Sequence, residues 1–140
     1  MSRSAVVDTG PLVAFLNRRD PYHEWAYEVL SGVALPLRTC AAVLTETCFL
    51  VRSIRGCREA VLELVASGRI ALPFSLEGEA RAVRKLVQKY ADVPMSLADA
   101  CLVRMAERDG RAAVITLDRD FFHYRKHGHQ AIDVVTPHRS

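Results

Sequence analysis

AVVDTGPLVAFL, residues 5–16, decides the fold. Ala5, Val6 and Val7 are a short apolar run that stops at Asp8, and Thr9, Gly10 and Pro11 precede a second apolar run. Proline is well placed at the first position of a helix, where its missing N–H has no bond to make. The stretch therefore reads as a buried strand (Ser4 to Val7), a carboxylate, a tight turn and a helix (Pro11 to Asn17). A carboxylate at the C-terminal end of a first parallel strand stands where open α/β sheets build their sites. Asp8 also has a plainer role open to it, as the cap of the turn. Other carboxylates at comparable places would favour the first role.

Downstream, strand-like and helix-like segments alternate. Asp20-Pro21 opens a second helix with Asp as its cap, and Tyr22, Trp25, Ala26, Val29 and Leu30 give it one apolar stripe before Gly32. Leu35 to Arg38 is a short strand. Thr39 caps a third helix reaching about Ile54, and Gly56 closes it. Residues 58–66 form a fourth helix and Ile70 to Pro73 a third strand. Ser75 caps a fifth helix to about Tyr90, and Ser96 caps a sixth to Gly110. Ala112 to Thr116 and Ile132 to Val135 complete the strands. Short connections between alternating β and α segments imply a central parallel sheet of four to five strands with helices on both faces.

The 140 residues suit one domain, residues 1–140, with one core. Half the chain is apolar and a quarter charged, the balance of an ordinary globule. Nineteen Lys and Arg against sixteen Asp and Glu leave a mild net charge of +3. No apolar run approaches the roughly 20 residues of a membrane span, and the first residues lack the apolar segment of a secretory signal. Cys40, Cys48, Cys57 and Cys101 contain no C-x-x-C pair, which fits reduced, mostly buried thiols in a cytoplasmic protein.

Three more carboxylates join Asp8. Glu46 lies inside CAAVLTETCFLV, where Ala42, Val43, Phe49 and Leu50 surround it and no Lys or Arg stands at helical spacing. A helix apolar on nearly every side is usually buried, so Glu46 reads as an inward-facing acid. A narrow polar strip shared with Thr45 is the alternative. Asp99 stands three residues after Ser96, the spacing of a capping box, yet Leu102 and Val103 share its face. That places it at the upper edge of the core, where an ordinary cap would face water. Asp118 follows the fourth strand in AAVITLDRDFF and repeats the arrangement at Asp8, with Asp120 two residues on. Four carboxylates gathered at one sheet edge repel one another unless a cation sits between them. An oxygen-only ligand set suits Mg²⁺ or Mn²⁺, which can activate water against a phosphodiester.

VVDTGPLVAFL, the Glu46 helix, SLADA and TLDRDF recur here in one order, and DPYHEWA with His23 and Ala26 lies between the first two. In this the chain resembles the PIN-domain ribonucleases, most closely the VapC-type toxins of toxin–antitoxin pairs. The resemblance spans Val6 to Phe122. It implies a three-layer α/β/α sandwich and Mg²⁺- or Mn²⁺-dependent endonucleolytic cleavage of RNA. It also implies an acidic site of Asp8, Glu46, Asp99 and Asp118, with Thr9 and Thr116 as supporting hydroxyls and Asp120 as a weaker ligand. A homodimer and a small antitoxin protein are the implied partners, and no membrane.

Basic residues gather in two places. The fifth helix carries Arg81, Arg84, Lys85 and Lys89 on one face, either a solvated surface or one that tracks phosphates. The loop after Asp118 carries Arg119, His123, Arg125, Lys126 and His127, which would hold an RNA backbone near the metal. His123, His127 and His129 lack a cysteine pair to complete a zinc site. The chain has no Gly-rich phosphate loop and no G-x-S-x-G, so ATP use and serine hydrolase chemistry lack support. Two alternatives to the toxin remain: an RNA-processing nuclease without an antitoxin, and a non-catalytic binding module. The second has no physical reason to keep four mutually repelling acids.

Overall fold

Val6, Val7, Val114 and Ile115 have almost no contact with solvent, and they set the middle of the sheet. The computed structural model describes residues 4–140. Its elements are β1 (Ala5–Val7), α1 (Thr9–Leu16), α2 (His23–Gly32), β2 (Leu37–Arg38), α3 (Ala41–Leu50), α4 (Cys57–Ala66) and β3 (Ile70–Ala71). There follow α5 (Leu76–Lys89), α6 (Leu97–Arg108), β4 (Ala113–Ile115), a 3₁₀ turn (Arg119–Phe122), β5 (Arg125–Lys126), β6 (Gln130–Ala131) and β7 (Val134–Val135). Five strands form one parallel sheet in the order β3-β2-β1-β4-β7, while β5 and β6 make a separate antiparallel hairpin. Helices flank the sheet in a three-layer α/β/α arrangement.

The strand order reverses direction between β1 and β4, the place where such sheets open a crevice at their C-terminal edge. Val7 pairs with Ile115, and the Asp8 N–H donates to the Ile115 carbonyl at 2.9 Å. The two chains therefore leave the sheet side by side. Helix α6 packs against both strands, and Leu102, Val103, Cys101 and Ala106 are buried on it. Burying each such Leu or Val contributes about 1.5–3 kcal/mol. Among the described residues no helix is long and apolar enough to cross a membrane.

Several boundaries differ from those the sequence suggests, two of them because a polar group has another partner. The Asp20 carboxylate accepts from the Tyr22 N–H, so α2 starts at His23 and not at Pro21. Thr39 does not cap α3: its hydroxyl donates to the Val7 carbonyl at 2.6 Å and ties β2 to β1, while Cys40 is the capping residue. Helix α3 stops at Leu50, four residues short of Ile54. The second strand begins only at Leu37, after Pro36, which has no N–H to give a ladder. All four cysteines are free thiols, with Cys40, Cys57 and Cys101 buried and Cys48 partly so.

Candidate active site

Asp8 caps α1 and also lines a cavity. One carboxylate oxygen accepts from the Thr9 N–H and the other from the Thr116 hydroxyl, each at 2.7 Å. The same Thr116 hydroxyl accepts from the Asp118 N–H at 2.9 Å. One small buried side chain thus links the ends of β1 and β4. Asp8 is only 7% exposed, and burial pushes its carboxyl up to about 6, against the lowering pull of its hydrogen bonds. The charges of Asp99 and Asp118 push the same way.

Ser96 and Asp99 form a complete capping box on α6. One Asp99 oxygen takes both the Ser96 N–H at 3.3 Å and the Tyr124 hydroxyl at 3.1 Å. Asp99 is also 7% exposed, and burial raises its carboxyl above the usual range. Asp118 caps the 3₁₀ turn by accepting from the Asp120 N–H. A cavity of about 400 Å³ opens between these ends and is lined by Asp8, Thr9, Glu46, Asp99 and Asp118, with Leu50, Pro94 and Leu117 as apolar wall.

Glu46 stands at this cavity but is exposed, contrary to the inward burial that its apolar neighbours suggest. The buried side of α3 is Val43, Leu44 and Thr47, and Thr47 satisfies its hydroxyl on the Val43 carbonyl. Phe49 and Leu50, which make the helix look apolar all round, are 59% and 48% exposed. Asp120 does not line the cavity.

The chain matches the PIN domain family over residues 5–127. The chain is a PIN domain of the VapC type. It is 30% identical over 119 residues to ribonuclease VapC26 of Mycobacterium tuberculosis, covering 84% of this chain and 88% of that protein. The crystal structure of the M. tuberculosis toxin VapC20, described as cleaving the sarcin-ricin loop, superposes with a TM-score of 0.75 at 20% identity. That match covers 84% of this chain and 92% of the toxin.

Not every residue expected at the rim of this PIN domain is there. Lys126 is buried, 3% exposed, and its ammonium reaches the Gly110 carbonyl at 3.5 Å. Gly110 follows the C-terminal end of α6, the end opposite Asp99, so the buried Lys126 does not present its charge at the cavity rim. Arg125 turns its guanidinium onto the Phe122 and Tyr124 carbonyls and is only partly exposed. Arg119 and His123 remain exposed. Sequence reasoning missed Tyr124, which is fully buried, packed edge-on against Tyr90 and Phe121, and bonded to Asp99. Its signal was faint: an aromatic three residues after Phe121 in a stretch otherwise rich in charge.

Among the described residues no three His, Cys, Asp or Glu side chains close on one point as a complete ligand cage. The donor set nevertheless fits a hard divalent ion. Mg²⁺ takes one or two carboxylates and keeps several waters. The Thr9 hydroxyl, buried at the same cavity, has no hydrogen-bond partner among the described residues. Two desolvated carboxyls and an unsatisfied oxygen are groups that a cation stabilises.

Proposed function

We propose that this PIN domain is an endoribonuclease that uses Mg²⁺ or Mn²⁺ at Asp8, Asp99, Asp118 and Glu46, and that it is the toxin of a toxin–antitoxin pair. The observation that carries the reading is the convergence of these four carboxylates on one cavity at the switch point of the sheet. VapC26 is named a ribonuclease and VapC20 is described as a sarcin-ricin loop cleaving toxin, which supports RNA as the substrate class.

The bound ion would supply Lewis-acid stabilisation of phosphate charge and a more acidic water. The chain's own groups set the conditions. Thr116 and the Thr9 N–H hold both Asp8 oxygens in place, so the carboxylate cannot rotate away from the cavity. Tyr124 and the Ser96 N–H fix one Asp99 oxygen and leave the other for the cavity. Leu50, Pro94 and Leu117 keep part of the wall dry, which strengthens every charge interaction inside. Asp118 and Glu46 are less buried and suit contacts through water, and Asp120 is at most an outer ligand. Arg119 and His123 are positioned for the RNA backbone.

We also assign a homodimer, a cytoplasmic location and a small antitoxin partner. The exposed apolar side chains of Tyr22 and Tyr27 near α2, Phe49 and Leu50 on α3, and Leu62 on α4 support the two protein partners, and the free thiols of all four cysteines support the location. The test is cleavage of single-stranded and hairpin RNA by the purified protein. Chelation should stop it, Mg²⁺ or Mn²⁺ should restore it, and Asp99→Asn should stay inactive under all conditions. Cleavage that survives chelation would refute the metal, and absence of cleavage of any RNA would refute the enzyme.

A further inference from the structure

Arg81, Arg84, Lys85 and Lys89 lie along one face of α5, opposite the buried Val83 and Leu86. All four are exposed, and among the described residues none of them forms an ion pair. The arginines beside them behave differently: Arg38 pairs with Asp109 at 2.8 Å, Arg104 with Glu79 at 2.7 Å and Arg108 with Glu79 at 2.9 Å. Like charges three and four residues apart on a helix destabilise it by a few tenths of a kcal/mol per pair. This row contains three such pairs, 81–84, 81–85 and 85–89; Glu77 stands four residues before Arg81, and among the described residues no acid forms an ion pair with the row.

The row leads to the acidic cavity. Beyond Lys89 the chain continues into Pro94 and Ser96, both of which line it. The Lys89 ammonium donates to the Gly128 carbonyl at 3.2 Å, stays exposed, and lies 5.2 Å from the Tyr90 ring centroid; Tyr90 packs on Tyr124 at 5.1 Å, and Tyr124 donates to Asp99. The carboxylates of the cavity repel phosphate, so affinity for a nucleic acid has to come from cations outside it. The loop after Asp118 provides few: Arg119 and His123 are exposed, while Lys126 is buried and Arg125 is half-buried against the Phe122 and Tyr124 carbonyls. From Arg81 to Lys89 the row spans about 12 Å of helix, long enough to meet more than one phosphate. Gln88 lies beside the cations, and the face lacks the aromatic anchors that protein interfaces favour.

We propose that Arg81, Arg84, Lys85 and Lys89 form the backbone track for single-stranded RNA, holding phosphates that flank the bond presented at Asp8 and Asp99. This rests on the ribonuclease reading above. The test uses the full chain, chelated to prevent cleavage, and a labelled mixed-sequence RNA of roughly a dozen nucleotides, titrated from about 50 to 200 mM salt. An Arg81→Gln, Arg84→Gln, Lys85→Gln variant keeps good helix formers at exposed positions, and circular dichroism checks its fold. Loss of three phosphate contacts should lower the slope of log K against log salt by about 2. It should also weaken binding ten- to a hundredfold, as a rough magnitude from the same relation. With metal restored, KM should rise by a similar factor and kcat should not change. An Arg55→Gln, Arg58→Gln control should bind as wild type. An unchanged slope in the α5 variant, or an equal loss in the control, would overturn the track while leaving the ribonuclease intact. Wild-type protein that neither binds nor cleaves RNA would overturn the ribonuclease reading itself.

Discussion

Replacing Asp8 with asparagine should stabilise the metal-free protein at neutral pH. Burial raises the Asp8 carboxyl from 3.8 to about 6, and the side chain is only 7% exposed, so solvent screening takes little away. Roughly two pKa units at 1.36 kcal/mol each make the ionised form cost about 3 kcal/mol in the folded state. The sign follows from the direction of the shift. The folded protein holds this proton more tightly than the unfolded chain, so the cost is absent below about pH 3.8, grows as pH rises, and is complete above about 6. The Asp8→Asn variant removes the charge and keeps an acceptor for the Thr9 N–H, but it disturbs the bond from Thr116, worth about 1 kcal/mol. The net gain is about 2 kcal/mol, or roughly 6 °C in Tm for a domain of this size. Thermal melts with chelator at pH 7.5 and near pH 4 test this: the variant should melt higher at 7.5, and the gap should close near 4. Mg²⁺ should raise the Tm of wild type and leave the variant unmoved. A variant that melts below wild type at pH 7.5, or a gap independent of pH, would refute the reasoning and make Asp8 a structural cap alone.

Tyr124→Phe keeps the ring packing and removes the donor to Asp99, so Mn²⁺ affinity measured by titration calorimetry should fall about tenfold or more. Stability should change by only about 1 kcal/mol. Glu46→Gln should leave folding stability within about 0.5 kcal/mol of wild type, because the side chain is exposed, while reducing RNA cleavage. Light scattering at micromolar concentration should give a mass of two chains, and a strict monomer would contradict the dimer.

The places of Asp8, Asp99 and Asp118 were readable from sequence because local patterns constrain them. A carboxylate that ends an apolar strand, or stands three residues after a capping Ser, has its position set by neighbours within one turn. Thr9 and Thr116 came only through the family resemblance, since a single hydroxyl beside a strand end carries no pattern of its own. Glu46 shows where the pattern fails. Exposed Phe49 and Leu50 count as apolar in any periodicity, so they mimic burial of a helix whose inner face is Val43, Leu44 and Thr47. The β5–β6 hairpin was invisible for a related reason. RKHGHQA is polar and reads as loop, yet His127 and Gly128 adopt positive φ and turn the chain back on itself. That hairpin is what buries Lys126, and the aromatic packing before it is what brings Tyr124 to Asp99 across 25 residues of sequence. Such contacts depend on how α6, the 3₁₀ turn and β5 dock together, which no short window records.

The central claim is a divalent ion held by carboxylates from β1, α3, α6 and the end of β4. An anomalous difference map from crystals soaked in Mn²⁺ tests it most directly. The account predicts a peak in the cavity within about 2.0–2.3 Å of carboxylate oxygens of Asp8 and Asp99, with Asp118 or Glu46 bound directly or through water. The peak should be absent in Asp99→Asn crystals. A cavity without manganese under those conditions, or manganese bound only elsewhere on the chain, would contradict it.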